Sequence, residues 1–476
     1  MKKLNVFFIL PNVFGDTTLG TLNAATSPPT GLAFLASMIL REGHNVEAAD
    51  LRVETEDEMH EKIKNFNPDY ICVSFMSFGY KQIYKFIDRM KEKYPKIPIV
   101  IGGPHASLFL RQALEESKVD FVVYGEGELT LAELLSGKNL KDIKGLVWRN
   151  EDEIVVNMPR EFNENLDDLP FPKFDLFPLD RYTDKKIPIV SSRGCPHSCI
   201  FCEIPKFAGK KLRHRSAKNV VDEMEYWYEK GYNYFPFVDD NVAQDTNKFI
   251  ELCDEIIRRG IKIKWDLRNG IRVDKVNYEL LMKMKEAGCI YFVLSVEHFD
   301  DEVLRTMKKG ITSNMVFRAI EDSEKAGIPF GITIIVGLPG DTFEKFMRNY
   351  KLVQKYNFEE VRFYNALSYP GTELHQMILD KGNYLMQPDE FLSQTTIMGD
   401  EPLFEYPGFT IEEKKKALKM GENLLMKKII KKEFGSVLGA IGYSFWRIEP
   451  LRQPVTKIGT GLWKSFRKLK SNLNLS

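Results

Sequence analysis

Short apolar runs alternate with stretches of three- and four-residue apolar spacing through residues 1–135. Leu4–Leu10, Asn45–Ala49, Tyr70–Ser74, Ile97–Ile101 and Phe121–Tyr124 read as strands. Gly31–Leu40, Met59–Phe66 and Ile83–Tyr94 read as helices between them. Such alternation predicts a doubly wound parallel sheet with helices on both faces. Residues 136–186 read as a connector: a hairpin at 146–157, turning at Asn150-Glu151-Asp152-Glu153, then the extended Asp168-Leu169-Pro170-Phe171-Pro172. Residues 187–380 resume the alternation, with strands expected at 187–191, 234–238, 262–266, 291–296, 331–336 and 360–366. Residues 381–476 read as a mostly helical region.

Six strand–helix units predict a partial (β/α)6 TIM-type barrel, so the overall class is α/β. Barrel chemistry gathers at the carboxyl ends of strands. Here those ends carry a cysteine-rich loop, Asp239-Asp240-Asn241, Arg268-Asn269, Glu297-His298, Gly337-Leu338-Pro339-Gly340 and Tyr364-Asn365. In the first domain the corresponding edge carries Gly102-Gly103-Pro104-His105 and Gly125-Glu126-Gly127-Glu128. Taken alone, those turns equally suit tight strand-to-helix connections, which favour glycine for backbone reasons.

Arg193-Gly194-Cys195-Pro196-His197-Ser198-Cys199-Ile200-Phe201-Cys202 sharpens the picture. Three cysteines at CxxxCxxC spacing can hold three irons of a 4Fe–4S cluster and leave the fourth iron open to a chelating molecule. A zinc site using His197 is the competing reading, but structural zinc sites usually draw on two separated ligand pairs and no second pair follows. A disulfide is disfavoured: six cysteines in 476 residues, with no secretory pattern, fit a reducing, cytoplasmic setting. Cys72, Cys253 and Cys289 are scattered singly and read as small apolar core residues.

Composition changes little. Apolar residues make up 43% and charged residues 28%, and the formal net charge is zero, so nothing global points to nucleic acid. Between Lys427 and Lys470, however, eleven basic residues face only Glu433 and Glu449. The run 434–446 has thirteen residues, too few to span a bilayer. Val455, Ile458, Leu462, Phe466, Leu469 and Leu473 form an apolar stripe among lysines and arginines. That pattern predicts peripheral contact with the inner face of an anionic membrane; it equally suits a helix packed on the protein body.

Residues 1–380 resemble the cobalamin-binding radical S-adenosylmethionine (SAM) class. The resemblance rests on Thr30–Ala36, Glu42–Val46, Ile101–Ala106, Tyr124–Glu128 and Asp168-Leu169-Pro170. It continues through the cysteine loop, Phe237–Asn241, Val296-Glu297, Val336–Gly340 and Ser368–Thr372. It implies a Rossmann-like cobalamin domain at 1–135, a linker at 136–186 and a radical SAM barrel at 187–380. Cys195, Cys199 and Cys202 would hold the catalytic cluster. The implied cofactor contacts are Phe201, Asp239, Asp240, Glu297 and Gly337 on the barrel side. Ser74, Gly102, Gly103, His105, Gly125 and Glu126 are their counterparts on the cobalamin side. Asp239 and Asp240 would receive the SAM amine, and Gly331 and Gly337 would let adenine approach the backbone. The implied activity is SAM cleavage to a 5′-deoxyadenosyl radical, with methylation of an unactivated carbon as the leading outcome. A radical cyclase or oxidase on a lipid or porphyrin-like substrate is the alternative, and a non-enzymatic cobalamin or cluster sensor the third. A small-molecule or lipid-like substrate and an electron donor such as flavodoxin or ferredoxin are the implied partners. Two departures stand out: the DxHxxG motif is absent, and the fourth barrel strand ends Ser295-Val296-Glu297-His298 where Gly-x-Glu-Ser is usual.

Overall fold

Val6, Phe7, Phe8 and Ile9 are all fully buried, as a strand covered by helices on both faces requires. Val6 and Phe8 pack against the helix Thr30–Arg41, while Phe7 and Ile9 face Met59, Ile63 and Ile83 on the opposite side. The computed structural model describes residues 2–12, 26–394 and 401–446; the basic tail at 455–473 lies outside them. The first sheet contains β1 (Asn5–Leu10), β2 (Asn45–Asp50), β3 (Tyr70–Ser74), β4 (Ile99–Gly102), β5 (Phe121–Val123), β6 (Leu146–Asn150) and β7 (Glu153–Val156). Their order is β2-β1-β3-β4-β5-β6-β7. The first five strands pair in parallel, and the hairpin β6–β7 continues the sheet antiparallel. The hairpin expected in the connector thus extends the first sheet, with Val147 and Ile154 buried in its core. The chain direction reverses between β1 and β3, which makes the carboxyl edge at Leu10 and Ser74 the switch point where such sheets bind ligands.

The short pair β8 (Ser192–Arg193) and β9 (Arg213–His214) is antiparallel and pinches the base of the cysteine loop. The second sheet is β10 (Trp265–Arg272), β11 (Cys289–Glu297), β12 (Phe330–Val336) and β13 (Glu360–Asn365), all parallel and in chain order. Two of the six expected barrel strands are absent from this regular ladder. They persist as extended segments joined by the single bridges Ile189↔Phe237 and Tyr234↔Lys264. β10 also runs beyond the expected 262–266. A bulge absorbs Arg268–Gly270 between the pairs Leu267↔Phe292 and Ile271↔Leu294. Gly270 is needed there: φ is +99°, and an added Cβ would lie 2.3 Å from Ser295 Oγ.

Helices cover one face of this sheet, burying Phe330, Ile332 and Ile334 of β12. After the sheet, a helical segment spans Ile411–Trp446, interrupted at Gly435. Among the described residues no helix is long and apolar enough to cross a membrane.

Candidate active site

The cysteine loop is held at its base and along its length. Cys195 N–H donates to Gly209 O at 3.0 Å, and Ile200 N–H to Met307 O at 3.1 Å. All three cysteines are partly exposed and free of disulfides. Asn241 Nδ2 lies 3.5 Å from Cys195 Sγ, a donor suited to a thiolate. Burial pushes the Cys202 thiol up to about 12. Burial also raises Cys199, against the pull of the Lys309 and Arg272 cations. Three free thiols on one loop, with an amide donor and two cations at hand, fit a cluster that takes thiolate ligands. His197 Nε2 is 2.6 Å from Gln244 Oε1. Among the described residues no three His, Cys, Asp or Glu side chains converge as ligands of a single ion. Phe201 is half-buried against the core of the second domain.

Asp239 and Asp240 occupy different environments. Asp239 is buried and accepts from Ser191 N–H at 3.0 Å, Ser191 Oγ at 2.7 Å and Ser192 Oγ at 2.7 Å, besides Ser192 N–H. Desolvation pushes its carboxyl up to about 6, against the pull of those donors. Its hydrogen bonds tie the start of the cysteine loop to the second barrel segment. Asp240 is exposed, with only a 3.4 Å contact from Gly194 N–H, and desolvation raises its pKa.

Glu297 ends β11 with φ +62°, a left-handed conformation uncommon for a non-glycine residue and frequent at functional sites. Its carboxylate accepts from Lys309 Nζ at 2.9 Å and Thr333 Oγ1 at 3.0 Å. The unusual His298 has a partner. Its Nδ1 accepts from Asp300 N–H at 3.0 Å, leaving Nε2 as the donor to Asp341 Oδ1 at 3.2 Å. Asp341 in turn accepts from Gly337 N–H at 3.0 Å and Thr342 N–H at 2.8 Å. Strand ends β11 and β12 are therefore tied together through a histidine.

At the two glycines expected to receive adenine, the space a side chain would take is filled by protein. A Cβ on Gly331 would lie 2.4 Å from the Tyr291 hydroxyl, and one on Gly337 2.9 Å from Lys414 Cε. Lys414 is buried, donates to Phe404 O at 3.1 Å and sits 4.6 Å from the Phe404 ring centre. Burial lowers its pKa from 10.5 to about 8, opposed by Asp341 and Glu405. The unfolded chain therefore binds more protons between those two values, and stability rises with pH across that window. Below pH 8 the full burial cost is felt. A shift of this size corresponds to about 3 kcal/mol. The rise in Tm contributed between pH 8 and 10 is expected to disappear in Lys414→Met. An equal rise in both proteins would show that Lys414 does not carry it.

The cobalamin-side residues divide in the same way. Ser74 and Gly102 pair in register at the carboxyl edge of β3 and β4. Gly103 has φ +95°, and an added Cβ would lie 2.8 Å from Ser74 Oγ. Gly125 has φ +72° with open space where a Cβ would stand, and Met76 at this edge is exposed. An open glycine and an exposed apolar side chain at a switch-point edge fit a large flat ligand. His105, expected as a cofactor contact, is packed into the domain core. It is fully buried and stacked among Phe75, Tyr80 and Phe109, and Tyr84 Oη lies 2.8 Å from its Nε2. Burial pushes its pKa down to about 3, so the packed ring stays neutral.

Glu126 is held by protein partners. Its carboxylate accepts from Arg213 Nη1 at 2.8 and 2.9 Å, Arg193 Nη1 at 3.2 Å and Asn163 N–H at 2.9 Å. Glu128 accepts from Arg193 Nη2 at 2.8 Å. Arg193 and Arg213 are the strand residues that bracket the cysteine loop. The glycine turn after β5 is thus bolted to the base of that loop, and the helix Pro104–Leu108 touches the helix Ile204–Phe207 just beyond Cys202. Both carboxyl edges consequently face one another across the cysteine loop.

Residues 189–353 match the Radical SAM superfamily and residues 20–135 the B12 binding domain. An uncharacterized methyltransferase of Pyrococcus horikoshii is 30% identical over 430 residues, covering 88% of this chain and 92% of that protein. The anaerobic magnesium-protoporphyrin IX monomethyl ester cyclase of Rubrivivax gelatinosus is 28% identical, covering 79% of this chain and 70% of that protein. The hopanoid C-3 methylase of Methylococcus capsulatus is 27% identical, covering 72% and 67%. The fold recurs in the radical SAM methyltransferase TsrM from Kitasatospora setae with cobalamin and a 4Fe–4S cluster bound. The TM-score is 0.70 at 17% identity, over 97% of this chain and 100% of that one. It recurs also in the cobalamin-dependent SAM radical enzyme OxsB with aqua-cobalamin and SAM bound, at TM-score 0.73 and 16% identity, over 100% and 75%. A B12 domain followed by a radical SAM domain defines the class. The chain belongs to the cobalamin-binding radical SAM family, an enzyme family using a 4Fe–4S cluster, SAM and cobalamin.

Proposed function

We propose that this enzyme methylates an unactivated carbon of a small molecule. The observation that carries the reading is the apposition of the two carboxyl edges across the cysteine loop, bolted by Glu126, Glu128, Arg193 and Arg213. A methyl group leaving the first domain has a short path to a substrate held over the second.

Cys195, Cys199 and Cys202 would hold the cluster. When bound, the cluster supplies the electron that cleaves SAM, and cobalamin supplies the methyl group. Asp240, with little protein hydrogen bonding of its own, is the carboxylate left to receive the SAM ammonium by a charge-assisted bond. Asp239 holds the loop that carries the cysteines. Glu297, fixed by Lys309 and Thr333, presents a carboxylate edge at the barrel mouth. Ser74, Gly102, Gly103 and Gly125 would shape the cobalamin edge, with His105 setting the packing beneath it. A low-potential one-electron donor such as flavodoxin or ferredoxin would reduce the cluster.

The test is an anaerobic incubation of reconstituted protein with SAM, reductant and candidate substrates, read by product mass. Methylation requires 5′-deoxyadenosine together with a product heavier by one methylene unit. Formation of 5′-deoxyadenosine with a product lacking that gain would move the assignment to the cyclase or oxidase alternative. The basic tail beyond Pro450 supports peripheral membrane contact from its sequence pattern alone. Salt-sensitive liposome co-sedimentation should then be lost on truncation after Pro450, and equal binding by both forms would reject the anchor.

A further inference from the structure

The inner face of the second sheet, opposite the helices, carries a row of polar side chains that the proposed chemistry does not use. Along β12, Phe330, Ile332 and Ile334 are among the most buried positions, and strand alternation puts Gly331, whose Cβ would meet Tyr291 and Glu360, and Thr333 on the opposite, inner face. The same alternation puts Asp266 and Arg268 of β10, Tyr291 of β11 and Glu360, Arg362 and Tyr364 of β13 on that face. Their contacts bear this out. Tyr234 donates to Asp266, and Arg268 Nε donates to Asp266 Oδ2 at 2.7 Å. The Arg268 guanidinium lies 4.7 Å from the Tyr291 ring centre. Tyr291 Oη donates to Glu360 Oε2 at 3.1 Å, and Arg362 Nε donates to Glu360 Oε1. Gly331 clears the space through which the Tyr291 hydroxyl reaches Glu360.

Burial separates the two charges in this row. Asp266 and Glu360 are 0% and 18% exposed at their side chains, whereas Arg268 and Arg362 are 54% and 40% exposed. The carboxylates hold each arginine from behind through Nε. Both guanidinium groups stay about half exposed; that of Arg268 also neighbours the Tyr234 hydroxyl, and Arg362 Nη1 lies 3.4 Å from Tyr364 Oη. A guanidinium fixed through Nε presents its two terminal N–H groups as a planar fork, the geometry that receives an oxyanion in two parallel hydrogen bonds. The two forks stand on the two edge strands of the sheet and are linked across it through Tyr291 and Glu360. Arg362 lies three residues before Asn365 at the strand end, a depth of about 10 Å at ~3.3 Å per residue.

We propose that Arg268 and Arg362 form an oxyanion-receiving floor that binds a carboxylate or phosphate group of the methyl acceptor and leaves its reacting carbon near the cysteine loop. This rests on the methyltransferase reading and narrows its substrate class to anionic small molecules. The matched carboxylates keep the site near neutral while it is empty, so the forks need no ligand to be stable.

Arginine modification of the reconstituted full-length protein tests this without substitution. Phenylglyoxal labelling is read at each arginine by peptide mass, in sodium chloride, sodium acetate or sodium phosphate at equal ionic strength. Labelling of Arg268 and Arg362 is expected to fall several-fold with acetate, phosphate or both. Labelling of Arg258, exposed on an outer helix, should stay unchanged. Protection by acetate alone assigns a carboxylate, protection by phosphate alone a phosphate group, and protection by both the shared oxyanion chemistry. Unchanged labelling in both anions, or equal protection of Arg258, overturns the proposal and leaves the two arginines as struts of the sheet. SAM cleavage by the same preparation is scored separately. Its presence without anion protection removes this inference alone, and its absence with protection removes the methyltransferase reading alone.

Discussion

Replacing any one of Cys195, Cys199 and Cys202 by alanine is expected to abolish SAM cleavage, not merely slow it. Each thiolate supplies the sole protein ligand of one iron, and the open fourth iron is defined only while the other three are held. The other cysteines cannot stand in, because Cys72, Cys253 and Cys289 are buried elsewhere. Iron and sulfide contents after anaerobic reconstitution should fall together with 5′-deoxyadenosine. Cys72→Ala, Cys253→Ala and Cys289→Ala remove one buried sulfur each. They should cost on the order of 1 kcal/mol in stability, with cluster content and cleavage retained. SAM cleavage surviving in Cys199→Ala would refute the assignment of the cluster to this loop. Cleavage lost in Cys253→Ala at full stability would show that the scattered cysteines do more than pack.

The elements that were legible in the sequence are those decided locally. Val6 to Ile9 form a run that only a doubly covered strand can bury, and all four are buried there. The cysteine loop was legible because its chemistry lies within ten residues. Other features depend on partners far along the chain. β10 outruns its apolar stretch because a bulge at Arg268–Gly270 lets polar residues continue the ladder. Gly331 and Gly337 each make room for a side chain from another element. For Gly337 that side chain, Lys414, belongs to a helix more than seventy residues later. His105 sits in a turn that resembles a ligand-binding one, yet its ring completes an aromatic cluster drawn from three separate segments. His298 was visible as a departure, but its partner Asp341 was not, since no local spacing connects them.

Glu126 is the clearest of these long-range cases, and Glu126→Gln carries the second large expected effect. The substitution removes a charge from between Arg193 and Arg213, which lie 67 and 87 residues away in sequence. Arg193 keeps Glu128 at 2.8 Å. Arg213 is 1% exposed at its side chain and keeps only the carbonyls of Asn163 and Ala208 and the Phe162 ring 4.9 Å away. Breaking a buried ion pair from one side typically costs 3–5 kcal/mol, because the remaining charge stays buried without its partner. A glutamine can still accept one of the arginine hydrogen bonds, so a loss of about 3 kcal/mol is expected as a lower denaturation midpoint at unchanged slope. Arg213 brackets the cysteine loop, so the variant should also retain less iron after gel filtration. The reading of Glu126 as a cofactor contact predicts otherwise: weaker cobalamin retention with the stability of the cofactor-free protein unchanged. Denaturation of the cofactor-free wild type and Glu126→Gln proteins therefore separates the two roles. An unchanged midpoint would return Glu126 to the cofactor edge and leave the two domains joined by Glu128–Arg193 and the packing around Phe34 and Phe162.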